Sequence, residues 1–294
     1  MLSGVMLLWF LLTTLAVIFV AWDIRSTPES PVLKAGFVLV TCYTGPFGAF
    51  LYVLGCREPL PGLHERYVAV RWRQVLGSTM HCVAGDGVGI LAGAVIGAWI
   101  HLPRPAQLIL EYVLGFAFGW MIFQALFMRA MAGGSYARSL GGTFLPELLS
   151  MNFLMAGMTP VMALAMKATP NSHNPLSPTF WFVMSMALLT GFIVAYPINW
   201  WLVANHLKHG MMTVRKRDQA KDNKSNEQDG KYHQGAIPDS GNAHGTLTTS
   251  RHHESSDQSA RQPSAGRKGV MTLLSFVVLG AGLTIAWAFG GFRS

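Results

Sequence analysis

Apolar residues in this chain come in long, nearly uninterrupted runs separated by short polar connections. Seven runs stand out, over residues 2–22, 32–55, 75–100, 106–128, 145–166, 180–204 and 270–290. A helix rises 1.5 Å per residue, so about 20 residues match the ~30 Å hydrocarbon core of a bilayer. The runs are too long for barrel strands and lack the alternating polar period of a lumen-facing strand. The pattern predicts an all-α polytopic membrane bundle of seven transmembrane helices: a six-helix core over 1–213 and an appended C-terminal helix over 270–294. Between them, residues 214–269 are rich in Lys, Asp, Asn, Ser, Gln and Gly. Such a segment buries too little surface to offset the entropy of ordering, which predicts a disordered basic cytoplasmic linker. Its four histidines (His233, His244, His252, His253) have no regular ligand spacing, and a solvated linker is the simpler reading than a metal-collecting tail. The first run has no basic residue before it and no small-residue cleavage site, so it reads as a retained span.

Composition agrees with the pattern. The chain is 51% hydrophobic and 12% charged, against about one-quarter charged in a typical soluble domain. Lys and Arg counts in the connections set the expected orientation. With seven crossings, the N-terminus, 56–74, 129–144 and 206–269 share one side with 17 basic residues, and the other side carries five (Arg25, Lys34, Arg104, Lys167, Arg293). The expectation is an N-terminus on the cytoplasmic side and a C-terminus outside. The net charge of +8 then reflects topology and contact with anionic lipid. Lipid is the expected partner, and nothing calls for nucleic acid.

The polar residues inside the runs carry the candidate chemistry. His81, Cys82 and Asp86 lie within the third run. On a helix, positions four apart form a stripe, and Gly85, Gly89, Gly93 and Gly97 make a small-residue face that lets another helix approach closely. Cys82 and Asp86 fall one turn apart on the adjacent stripe. Ionisable groups within spans are costly and point to function. Glu147, Gln124, Asn152 and Asn199 fall at a similar depth toward the cytoplasmic half, and His206 and His209 follow the sixth run. Glu111 is the exception, near the outer face. Met151, Met155, Met158, Met162 and Met166 recur along one helical face. Thioether sulfur is a soft ligand for Cu(I) and also an adaptable core filler, so the stripe fits either role.

Other chemistry finds no support in the residues. There is no Walker-type phosphate loop, no HExxH, no CxxCH and no nucleophile elbow. Three cysteines without a Cys-x-x-Cys pair give no disulfide framework.

The stretches TCYTGPFGAFLYVLG (41–55), STMHCVAGDGVGI (78–90), EYVLGFAFGWMIFQALFMRAM (111–131), FLPELLSMNFLMAGMTPVM (144–162) and FWFVMSMALLTGFIVAYPINWWLVANHLKHGMMT (180–213) resemble a bacterial membrane family known as domain of unknown function 4396. The resemblance runs over about 35–215. Other members resemble HC-x-x-GC-x-x-GD at the motif. Here Asp86 stands at the second cysteine and Ile90 at the later aspartate, which leaves His81 and Cys82 as the shared pair. The family has no settled activity, and the copper-related labels of some members are what the resemblance adds to the soft ligands already noted.

The expected function is handling or transport of a soft transition metal, copper first, with zinc or haem as alternatives. His81 and Cys82 are the expected ligands, and Met151, Met155 and Met158 line a path. Asp86 and Glu147, with Glu111 further out, serve as proton or counter-charge partners. His206 and His209 exchange the ion with the cytoplasm or a metallochaperone. Gln124, Asn152 and Asn199 line the polar interior. No catalytic residue is assigned. Two other classes compete: a redox subunit holding haem at His81 or quinone near Tyr196 and Trp200, and a silent scaffold whose polar residues only lock helices together.

Overall fold

The computed structural model describes residues 2–58, 63–129, 135–208 and 263–290. His209 and nearly all of the expected linker, along with its histidines, lie outside the described residues. All seven apolar runs are helical, and among the described residues there is no strand. In chain order the elements are α1 (Leu2–Asp23), α2 (Pro31–Thr44), α3 (Pro46–Gly55), α4 (His64–Val68), α5 (Arg71–Trp99), α6 (Arg104–Ala117), a π-helical segment (Phe118–Gln124), α7 (Ala125–Arg129), α8 (Tyr136–Ala168), α9 (Pro178–Ala204) and α10 (Ala265–Gly290). Among these, six continuous helices are long and apolar enough to cross a membrane: α1, α5, α6 with its π extension, α8, α9 and α10.

The second run is divided. At 14 and 10 residues, α2 and α3 span about 21 and 15 Å, each short of the hydrocarbon core. Gly45 separates them with φ +60° and ψ −137°, a conformation that glycine adopts without strain, and Pro46 starts α3 with its fixed φ. The two helices fold back on each other: a Cβ at Gly48 would stand 2.6 Å from Thr41 Cα. The turn sits against Trp9 and Thr13 of α1, so its irregular backbone is covered by protein, as membrane depth requires. The open end of the hairpin returns to the face where α1 ends. There Tyr52 Oη donates to Asp23 Oδ2 (2.8 Å), Arg57 pairs with Asp23 (3.0 Å), and Arg73 Nε donates to Leu54 O (3.2 Å).

A hairpin that enters and leaves by one face changes the side on which α1 begins. The N-terminus lies on the face opposite the 56–70 connection and shares its face with the end of α10. The expected pairing of the N-terminus with the basic connections is therefore corrected. Arg25 and Lys34 join the basic face, beside Arg57, Arg66, Arg71, Arg73, Arg129 and Arg138, while Arg104 and Lys167 lie on the other. Among the described residues, the short connections thus divide eight to two.

The glycine face of α5 carries α6 and the π segment. A Cβ at Gly89 would overlap Leu114 O and lie 2.6 Å from Gly115 N, one at Gly93 would lie 2.8 Å from Glu111 Cα, and one at Gly97 2.9 Å from Gln107 Cγ. At Gly85 it would lie 2.9 Å from both Gly119 Cα and Phe123 Cβ. Along α8 run both α9 and α10. Gly191 of α9 approaches Leu154 O to 2.9 Å in the same sense, and Gly282 of α10 approaches Ala156 O to 2.5 Å. Asn152 Nδ2 donates to Ser275 Oγ (3.0 Å), a polar tie between α8 and α10.

Candidate functional site

Cys82 is the twelfth residue of α5, which puts it about 16 Å along the helix from Arg71. It is fully buried, as are Asp86 one turn further on, Glu147 on α8 and Asn199 on α9. Four elements converge on its sulfur. The Cys82 thiol donates to Glu147 Oε2 (3.0 Å), and Gln124 Nε2, at the end of the π segment, donates to Cys82 Sγ (2.9 Å). Lys208 Nζ contacts Cys82 Sγ directly, donates to Asn199 Oδ1 (2.9 Å) and lies 3.6 Å from Glu147 Oε2. Asn199 is held in turn by its own bonds to Ser150 Oγ and Ala195 O, both 2.9 Å.

Lys208 follows α9, yet it is buried. Its position comes from the way α9 ends. His206 takes φ +55°, and Leu207 N donates to Leu202 O (3.0 Å) while His206 N donates to Val203 O (3.2 Å). A left-handed residue just past the helix with a six-to-one bond is a Schellman closure. It turns the chain back under α9 and sends the Lys208 side chain into the bundle. His206 itself stays exposed, so its contribution here is backbone shape.

The Asp86 and Glu147 carboxyls meet at Gly119. A Cβ there would fall on Asp86 Oδ1 and lie 2.5 Å from Glu147 Oε1. The two carboxyls are within hydrogen-bond reach of each other, and among the described residues no Lys, Arg, amide or hydroxyl donor bonds Asp86 Oδ1, Asp86 Oδ2 or Glu147 Oε1. The π segment makes this approach, widening the helix where glycine faces two carboxyls; π-bulges recur at functional sites. One ammonium cannot neutralise two carboxylates. The cluster carries a surplus negative charge unless a proton or another cation makes it up, and in a membrane interior that surplus is costly.

Residues 71–208 match the family model Domain of unknown function (DUF4396).

The DUF4396 segment starts with the first residue of α5 and ends at Lys208. Every member of the buried cluster lies within it, while α1–α4, with the 41–55 stretch, and α10 lie outside. No curated protein and no solved structure matches the chain.

Within the DUF4396 segment, the structure joins Cys82, Asp86, Glu147, Gln124 and Asn199 in one cluster and adds Lys208, which the sequence reading left in the following loop. His81 is buried but faces elsewhere: its Nε2 lies 3.1 Å from Phe123 O and its ring packs at 5.6 Å from that of Phe123. Its Nδ1 would be 3.9 Å from a Cβ on Gly36 of α2. Glu111 sits nearer the opposite face, bonded to Gln107 Nε2 (2.9 Å). Asn152 serves α6 and α10, accepting from Tyr112 Oη (2.6 Å) besides donating to Ser275. Met151, Met155 and Met158 are buried. Met151 Cε reaches Gly115, whose Cβ would be 3.3 Å from Asp86 O. At the other end of the stripe, Met166 Sδ accepts from Arg104 (3.3 Å) in a cavity of about 590 Å³ also lined by His101, Gln107 and His173. Among the described residues, the one compact group of three His, Cys or carboxylate ligand atoms is a different one, Glu29–Cys56–His64, outside the DUF4396 segment.

Proposed function

We propose that this integral membrane protein handles a soft transition-metal ion, copper foremost, at the buried Cys82–Glu147–Asp86 cluster. The reading rests on one observation: a thiol and two carboxyls share a site balanced by only one lysine. A soft sulfur donor favours Cu(I) over harder ions, and the surplus negative charge favours a cation as the arriving species. Lys208 is then the resident counter-ion, holding Cys82 and Glu147 until the metal replaces its ammonium. The Schellman turn at His206 gives the lysine a short path out, since it ends the helix one turn away. His81 positions the π segment through Phe123 O.

Met151, Met155 and Met158 offer thioethers between the cluster and the cavity at Met166, a path of soft donors for the ion. The basic face, with its eight-to-two excess among the described residues of the short connections, faces the cytoplasm of a bacterial inner membrane. Both termini then lie outside.

A silent polar lock is the competing reading, favoured by the bonds through which Lys208 ties α5, α8 and α9 together. Anaerobic Cu(I) loading of a Cys42→Ser/Cys56→Ser chain separates the two. About one copper per chain, lost in the further Cys82→Ser variant while the fold is kept, supports metal handling. A folded Cys42→Ser/Cys56→Ser chain that retains no copper leaves the polar lock.

A further inference from the structure

The base of the α2–α3 hairpin gathers three potential ligands from the connections on its two sides. Glu29 precedes the N-cap of α2, Cys56 ends α3 and His64 opens α4. All three are buried, and one ligand atom from each lies within 4.8 Å of the other two. His64 Nε2 is 3.1 Å from Cys56 O and 3.7 Å from Glu29 Oε1. Glu29 is only 5% exposed; the Ser30 backbone N–H and the Lys34 charge favour its carboxylate, but no side-chain donor of a described residue bonds either carboxyl oxygen. A buried carboxyl without such a bond is expensive to maintain.

We infer that Glu29, Cys56 and His64 form a binding site for a borderline-soft divalent ion of the zinc type, distinct from the Cys82 cluster. The donor set supplies one sulfur, one imidazole nitrogen and one carboxylate oxygen. Zinc accepts all three, and three protein ligands leave a fourth position for water. The charges close: a divalent ion, a thiolate, a carboxylate and a neutral imidazole sum to zero, which suits a buried site. Burial raises the Glu29 carboxyl to about 8 and lowers His64. On binding, the Cys56 S–H and Glu29 O–H protons pass to water as the metal–sulfur and metal–oxygen bonds form, and His64 contributes its lone pair. The ion would fasten both ends of the hairpin to α4. This site stands independently of the function proposed above.

The test uses the full chain in mild detergent with Cys42→Ser and Cys82→Ser, leaving Cys56 as the single thiol of the three and removing the copper site. Titration with Co(II) is expected to give a thiolate-to-cobalt charge-transfer band saturating at one equivalent and erased by Zn(II). His64→Ala and Glu29→Gln should each weaken binding at least tenfold, and Cys56→Ser should abolish the band. A folded single-cysteine chain with no such band, or a band unchanged when His64 and Glu29 are both replaced, overturns the site. Should the Cys82 substitution unfold the bundle, the zinc content of the natural chain against Cys56→Ser decides instead: one equivalent lost supports the site, and equal content overturns it.

Discussion

Replacing Lys208 by methionine tests whether the ammonium is the counter-charge of the buried cluster. Methionine keeps much of the length and apolar stem while removing the charge. Lys208 Nζ lies 3.6 Å from Glu147 Oε2, with side-chain exposures of 4% and 0%. At an effective dielectric of 20, two unit charges at that separation interact by about 5 kcal/mol, and removing one partner of a buried pair costs about 3–5 kcal/mol. The expected destabilisation is therefore about 4 kcal/mol, measured by reversible unfolding in mixed micelles. Lys208→Met/Glu147→Gln should recover part of it, because no uncompensated charge is then left at that position. The double-mutant cycle should give a coupling of about 2 kcal/mol or more. A Lys208→Met chain within about 1 kcal/mol of the natural one, or a double variant whose cost is the sum of the singles, would refute the charge argument.

Three further outcomes follow from the geometry. Gly89→Ala should cost about 1–3 kcal/mol, read as a lower melting temperature, because its Cβ would overlap the Leu114 carbonyl, which is backbone and cannot step aside. In a cysteine-free chain, single cysteines at Ser26 and Ala137 should react with an impermeant maleimide from one side and Ala168→Cys from the other; Ser26 grouping with Ala168 would mean that residues 31–55 cross the membrane. Glu29, with its folded value near 8 against an ordinary 4.5, binds its proton more tightly in the folded chain, so its contribution to stability is present below about 4.5 and is lost as pH rises toward 8. Glu29→Gln should flatten that part of the stability–pH curve, and an unchanged slope would contradict the assignment.

Periodicity explains which features could be read from the residues. Each span is long enough to announce itself, and the 3.6-residue repeat puts Cys82 and Asp86 on one stripe and the α5 glycines beside it. A similar depth counted from the ends of the apolar runs brought Glu147, Gln124 and Asn199 toward the same level. Adjacent residues on a helix diverge by about 100°, and accordingly Cys82 meets Glu147 while His81 meets Phe123 O. Residues 32–55 are as long as a span and as apolar, so only Gly45–Pro46 in their middle marked the reversal. Lys208 was hidden more deeply, since its burial depends on the left-handed turn at His206, and nothing in HLKHG demands that turn. Glu29 comes from the α1–α2 connection and Cys56 and His64 from the two ends of the α3–α4 connection, and only the hairpin brings them together.

Copper X-ray absorption of the Cys42→Ser/Cys56→Ser chain, loaded anaerobically with Cu(I), addresses the central claim most directly. The account predicts sulfur scatterers around a single copper, with the shell depleted in the folded Cys82→Ser variant. A spectrum with only nitrogen and oxygen neighbours, or one identical with and without Cys82, would contradict it.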